Sequence, residues 1–177
     1  MKQFDLGKYR QARIWLDELP DACSFPEDIL KFNLPAKYKP KMPTQAAVEV
    51  LVPLGSRSMY GLLGCEYRPS ANSELNAAIF CDSSKDRVMT TSLASPFEQV
   101  YVGLPVEYGE AVKNGFLLAQ QEFGTVAGKF VISHAAHGEI SSCEAIFKHL
   151  AVVLMRLVNI ENPTDEELIS LFPQTFG

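Results

Sequence analysis

Two stretches carry apolar residues at helical spacing, with a strand pattern between them. Val112, Phe116, Ala119 and Phe123 recur at intervals of four, three and four, one stripe of a helix expected over residues 106–123. Pro105 suits its first turn, where a missing N–H costs nothing, and Glu107 and Glu110 favour the positive end of its dipole. Gly124 supplies the left-handed residue at which helices commonly stop. Residues 129–135 then read as a strand, with Phe130 and Ile132 facing one way, and residues 136–139 as a tight connection. Ser141 and Glu144 stand at capping-box spacing ahead of a second helix, in which Ile146, Phe147, Leu150, Leu154, Leu157 and Val158 hold register. The stretch from Gly103 to Val158 organises the chain, and its second helix is expected to be the most buried.

Upstream, alternation replaces the helical period. Val48, Val50, Val52 and Leu54 alternate with Glu49 among their neighbours, residues 59–67 form a second strand, and Gly61 and Gly64 within it suggest a bulge or a close backbone approach. Residues 75–82 alternate again, residues 87–93 read as a further strand, and residues 96–102 leave room for one more short strand. The first 19 residues look helical, with Tyr9, Ala12, Ile14, Trp15, Leu16 and Leu19 as a broad apolar face stopped by Pro20. A short helical turn is expected from Pro26 to Phe32, and residues 34–43, with three prolines and three lysines, read as a linker or surface strap. Near the C-terminus, Thr164 caps a helix start whose first turn holds Asp165, Glu166 and Glu167.

The fold class is therefore α+β: a mostly antiparallel sheet of four to five strands backed by two helices, with an N-terminal helical segment. The expected division is a helical segment and linker over 1–43, an α/β domain over 44–160 and an acidic helical tail over 161–177. Composition changes this picture little. The 177 residues are 47% hydrophobic, enough for a real core, and no run of 18 apolar residues occurs. Charged residues interrupt the first segment, so no leader is recognised, no membrane partner is expected and a cytoplasmic location is. Charge is more informative. The net charge is -5, but residues 1–43 carry eight Lys/Arg against six Asp/Glu, and residues 44–177 eight against fifteen. An acidic core favours a protein partner over nucleic acid unless cations segregate in space, and Lys37, Lys39, Lys41, Arg57 and Arg68 are the cations to watch.

Candidate chemistry is sparse. His134, His137 and Glu139 are ligand-type residues close in sequence, but on a continuing strand 137 and 139 share a face that 134 does not. No metal or other cofactor is expected, and the three residues are assigned instead to partner contact, with Lys37, Lys39 and Lys41. Cys23, Cys65, Cys81 and Cys143 are scattered without a C-x-x-C pair and read as free thiols. Cys143 at a helix start could be a nucleophile, but a cap explains its serine neighbours better, and His149 lies on another face.

One resemblance narrows the reading. Pro105, Glu107, Tyr108, Ala111, Val112 and Gly115 complete the pattern P-x-E-Y-x-x-A-V-x-x-G of domain IV of translation elongation factor G and its eukaryotic counterpart. Ala119, Gly124, the run Val126-Ala127-Gly128 and residues 142–148 (SCEAIFK) resemble the rest of that unit, about a third of the chain. The resemblance implies a β-rich layer backed by two helices, shared with the second domain of a small-subunit ribosomal protein and with several small-molecule kinases. Pro105, Glu107, Tyr108, Gly115, Gly128, Ser141 and Glu144 would be its structural positions. The loop from His134 to Ile140 is shorter than the family's ribosome-entering tip, with Gly138 where that tip has a His and Ser141 where it has an Asp. No G-x-x-x-x-G-K-[ST] loop occurs, so the chain has no phosphate-binding motif of the GTPase kind. The expectation is a non-catalytic binding module for a protein or the ribosome. The alternatives are a metal-dependent enzyme at His134, His137 and Glu139, or a component that self-associates through a sheet edge.

Overall fold

The computed structural model describes residues 1–38, 42 and 44–172, apart from the side chain of Leu54. Lys39 and Lys41 lie outside the described residues. The elements, in chain order, are β1 (Lys2–Asp5), β2 (Gln11–Leu16), β3 (Asp28–Pro35), β4 (Thr44–Leu54), β5 (Arg57–Pro69), β6 (Glu74–Cys81), β7 (Val100–Val102), α1 (Val106–Glu122), β8 (Gly128–Gly138), α2 (Glu144–Asn159) and α3 (Asp165–Ser170). The architecture is α+β. Among the described residues the strands form one eight-stranded mixed sheet in the order β1-β2-β4-β5-β8-β6-β3, with β7 also pairing β8. Every pairing is antiparallel except β6 with β8.

β8 is the pivot of the sheet. One of its edges pairs with β5 over most of its length. The other edge is shared: β6 takes residues 128–132 and β7 takes residues 136–138. The gap is filled by the segment around Cys23, where the Ser24 N–H donates to the Ser133 carbonyl at 3.0 Å and the Ala135 N–H to the Ala22 carbonyl at 3.0 Å. These bonds carry the pairing of β8 across the gap between β6 and β7.

α1 and α2 pack on one face of the sheet. Between them and the strands lies the larger core, where Val48, Val50, Leu63, Ile132 and Phe130 meet Phe116, Phe147, Leu150 and Leu154. α2 buries nine side chains and is the most buried helix, as its pattern implied. The helices cross closely at Gly115, where an added Cβ would lie 2.4 Å from the Lys148 carbonyl oxygen and 2.7 Å from the Ala151 Cβ. A smaller core fills part of the opposite face. There residues 83–99, without regular structure, fold Met89, Leu93 and Ala94 over Trp15, Ala47, Tyr60 and Leu62.

Several expectations need correction. Residues 1–19 are not a helix but the hairpin β1–β2, turned by Gly7, Lys8 and Tyr9 at positive φ. Ala12 and Ile14 face the helix side while Trp15 faces the other core, so both faces of β2 are apolar and its period is ambiguous. The turn of helix expected from Pro26 to Phe32 is instead the start of β3, whose Leu30, Phe32 and Leu34 point inward on alternate positions. Residues 1–35 thus give three strands to the sheet and no helical segment, and the count of four to five strands rises to eight. Residues 87–93 pair only through a bridge between Val88 and Tyr101 before turning away over the sheet. β8 runs on through Gly138 instead of ending at residue 135, and its register with β5 shifts at Gly64/Cys65, with Ser133 as the extra residue in β8 and none in the glycine-bearing strand. α2 begins at Glu144 with Cys143 as its N-cap and without a side-chain cap hydrogen bond, so Ser141 and Glu144 form no capping box. That motif is complete at α3 instead, between Thr164 and Glu167.

Candidate binding face

The residues singled out by their chemistry do not converge. His134 stands opposite Gly64 on the face away from the helices, half-buried, with its Nδ1 3.0 Å from the Ser133 hydroxyl. His137 is buried on the helix face. Its Nδ1 is 3.0 Å from the Gly103 carbonyl oxygen, which fixes the proton on that nitrogen, and its ring lies between Tyr101 and Tyr108 at 5.9 and 6.2 Å. Glu139 is exposed beyond the strand, where it accepts a hydrogen bond from Lys85 at 3.2 Å. Burial lowers the pKa of both histidines, against the opposing pull of the Gly103 carbonyl on His137 and of Glu66 on His134. Among the described residues no three His, Cys, Asp or Glu side chains gather as metal ligands would.

The signature residues have structural work. Tyr108 stacks on Phe147, and its hydroxyl donates to the Ser142 carbonyl at 3.1 Å, so the first turn of α1 holds the approach to α2. The Ser142 hydroxyl donates to the Tyr60 carbonyl at 2.8 Å and accepts from the Gly138 N–H at 2.9 Å. Glu98 accepts from the Ile140 N–H at 2.7 Å, from the Ser141 N–H and from the Ser141 hydroxyl. The turn after β8 is therefore held by side chains from elsewhere in the chain. Cys143 contributes a sulfur contact to Met59.

A buried carboxylate escaped the sequence reading. Glu49 is fully buried under residues 83–99, where it accepts from the Tyr60 hydroxyl at 2.9 Å, the Leu93 N–H at 2.8 Å and Arg13 at 3.3 Å. Burial raises its pKa against the lowering effect of these donors. With every partner accounted for, it anchors the segment that makes the second core.

The cations also arrange themselves unexpectedly. Arg57 and Arg68 lie at opposite ends of β5, and Lys37 lies against Tyr38 and Gly124 beyond the end of β3. On the part of the far face that residues 83–99 leave bare, a different set forms. Asn33, Asn76, Lys129 and Arg68 stand side by side across β3, β6, β8 and β5, and beside them runs the row Lys31, Ala78, Val131 and Glu66. Phe80 and Ile29 begin a third row. Lys31, Asn33, Lys129 and Arg68 are exposed, while Phe80 and Val131 are half-buried. The rows floor a trough of about 640 Å³, and an adjoining hollow of about 200 Å³ shares Phe80, Lys129 and Val131 with it. The signal for this face lay in β3, where Ile29, Lys31 and Asn33 alternate with Leu30, Phe32 and Leu34.

No family model and no curated protein matches the chain. A solved structure with which it aligns is a crystal structure of a protein from Thermus thermophilus, at a TM-score of 0.49 and 12% identity over 73% of this chain. The aligned part spans 17% of that structure's chain. Among the described residues, no helix is long and apolar enough to cross a membrane.

Proposed function

We propose that the protein is a non-catalytic binding module of the elongation factor G domain IV type, docking on the ribosome or a ribosome-associated protein. The observation that carries this reading is the use made of the signature helix. Tyr108 braces α1 against Phe147 and the Ser142 carbonyl, and Gly115 sits where α1 and α2 cross closely. These residues build a frame and contribute no reacting group. The metal-enzyme alternative has less support, because His134 and His137 face opposite sides of the sheet and Glu139 is engaged by Lys85.

Co-sedimentation of the purified protein with ribosomes through a sucrose cushion tests the proposal. The expected result is a ribosome-bound fraction at low salt that declines as salt rises. Absence of the protein from the ribosome pellet at the lowest salt would overturn it.

A further inference from the structure

We infer that the trough across β3, β6, β8 and β5 binds single-stranded RNA, with phosphates on Lys31, Lys129 and Arg68 and a base on Phe80. The inference rests on the binding-module reading and adds to it the surface and the ligand class.

Charge is the first support. The chain as a whole carries -5, yet the residues lining the trough and the adjoining hollow include Lys31, Lys129 and Arg68 against the single carboxylate of Glu66. Glu66 is held by Arg68 at 3.3 Å, while Lys31 and Lys129 make no ion pair among the described residues. Two solvated ammonium groups on one face of an acidic protein form a local anion site.

The arrangement of the other side chains selects among anions. Same-face neighbours along a strand are about 6.8 Å apart and adjacent strands about 4.8 Å apart, so Lys31 lies within side-chain reach of both the Lys129 row and the Phe80 row. A polynucleotide presents phosphate on one side and a flat ring on the other, and the face offers cations in two adjacent rows and an accessible aromatic ring in the next. Asn33 and Asn76, adjacent across β3 and β6, place amide donors and acceptors between them, groups suited to 2′-hydroxyls and base edges. A polyacidic peptide would satisfy the lysines, and its backbone could pair with the amides, but it would offer Phe80 no flat ring to stack on. A duplex would need a longer basic footprint than three residues supply.

The test is fluorescence anisotropy with a fluorescein-labelled single-stranded RNA 12-mer of mixed sequence, titrated with the full chain. Saturable binding is expected, with log K falling against log salt at a slope of about -2, from three phosphate contacts at about -0.7 each. Lys31→Ala with Lys129→Ala should weaken binding at least tenfold. Phe80→Ala should weaken it without changing the salt slope. Lys8→Ala, in the distant β1–β2 turn, should leave it unchanged. No saturable signal, an unaffected double variant, or equal affinity for a labelled polyglutamate 12-mer would overturn the inference. The two proposals fail separately: if the double variant still pellets with ribosomes as the native protein does, the assignment of this face falls while the module reading stands.

Discussion

The Tyr60 hydroxyl donates to the Glu49 carboxylate at 2.9 Å, both side chains fully enclosed between the sheet and the segment that crosses it. The same carboxylate accepts the Leu93 N–H and pairs with Arg13, so one side chain ties β2, β4 and β5 to residues 89–95. Replacing Glu49 with Ala takes the acceptor away from a buried phenol hydroxyl and from a buried backbone donor. Glu49→Ala should cost about 3 kcal/mol, and Tyr60→Phe about 1 kcal/mol. Chemical denaturation reads both. Limited proteolysis should cut the Glu49→Ala variant first within residues 83–99, and equal cleavage of the two proteins there would refute the anchoring role.

Tyr108 offers a second measurement, because its ring and its hydroxyl act on different neighbours. The ring lies 4.8 Å from that of Phe147 at an angle of 18°, and the hydroxyl reaches the Ser142 carbonyl. Tyr108→Phe removes the hydrogen bond alone and should lower stability by about 1 kcal/mol. Tyr108→Ala also removes the stack and part of the core contact and should lower it by about 2–3 kcal/mol. If the two substitutions are equally costly in urea unfolding, the stacked pair contributes nothing and the bracing argument fails.

These networks explain what the sequence made legible and what it did not. The unit from Gly103 to Val158 could be read because local signals agreed: Pro105 starts α1, Gly124 at positive φ ends it, and the apolar stripe of α2 is uninterrupted. The strands β4, β5 and β6 were legible from alternation in the same way. The N-terminal hairpin was not, because a strand with a core on each face loses its polar alternation, as Ile14-Trp15-Leu16 does. Residues 83–99 were misread because what holds them is non-local, a carboxylate more than 40 positions earlier. Ser141 misled for a related reason: its hydroxyl prefers Glu98 to the helix behind it. As for the candidate site, the divergence of His134 from His137 followed from strand alternation. The Lys31, Lys129 and Arg68 set required the strand order, which no local pattern encodes.

Gly115 sets local helix propensity against packing. Ala in place of a helical Gly normally stabilises by about 1 kcal/mol. Here the new methyl group would meet the Lys148 carbonyl oxygen and the Ala151 methyl at distances no real contact shows, and α1 would have to move off α2. Gly115→Ala should therefore destabilise by about 2 kcal/mol. Asn114→Ala, one residue away on the exposed side of α1, should stabilise by about 0.5 kcal/mol. Opposite signs at adjacent positions are the expected outcome of paired thermal melts, and a stabilised Gly115→Ala variant would contradict the close crossing.

The last prediction concerns acid. Burial disfavours the charged form of His137 and lowers its pKa, and Lys85 adds to that effect, against the opposing influence of the Gly103 carbonyl, Glu107 and Asp82. A histidine whose folded pKa lies below 6.5 binds fewer protons folded than unfolded, so stability is complete above about pH 6.5 and declines as pH falls through that value toward the folded pKa. His134 and His149 are shifted the same way by burial and act with the same sign. Glu49 acts with the opposite sign: its raised pKa adds stability at low pH that is lost as pH rises from about 4.5 through its folded value. Urea midpoints measured between pH 7.5 and 5.5 should therefore fall with acid, and fall less steeply in His137→Asn, whose side-chain amide can still donate to the Gly103 carbonyl but cannot take up a proton. A variant with the same slope as the native protein would mean that His137 titrates alike in the folded and unfolded chains, which its burial between Tyr101 and Tyr108 argues against.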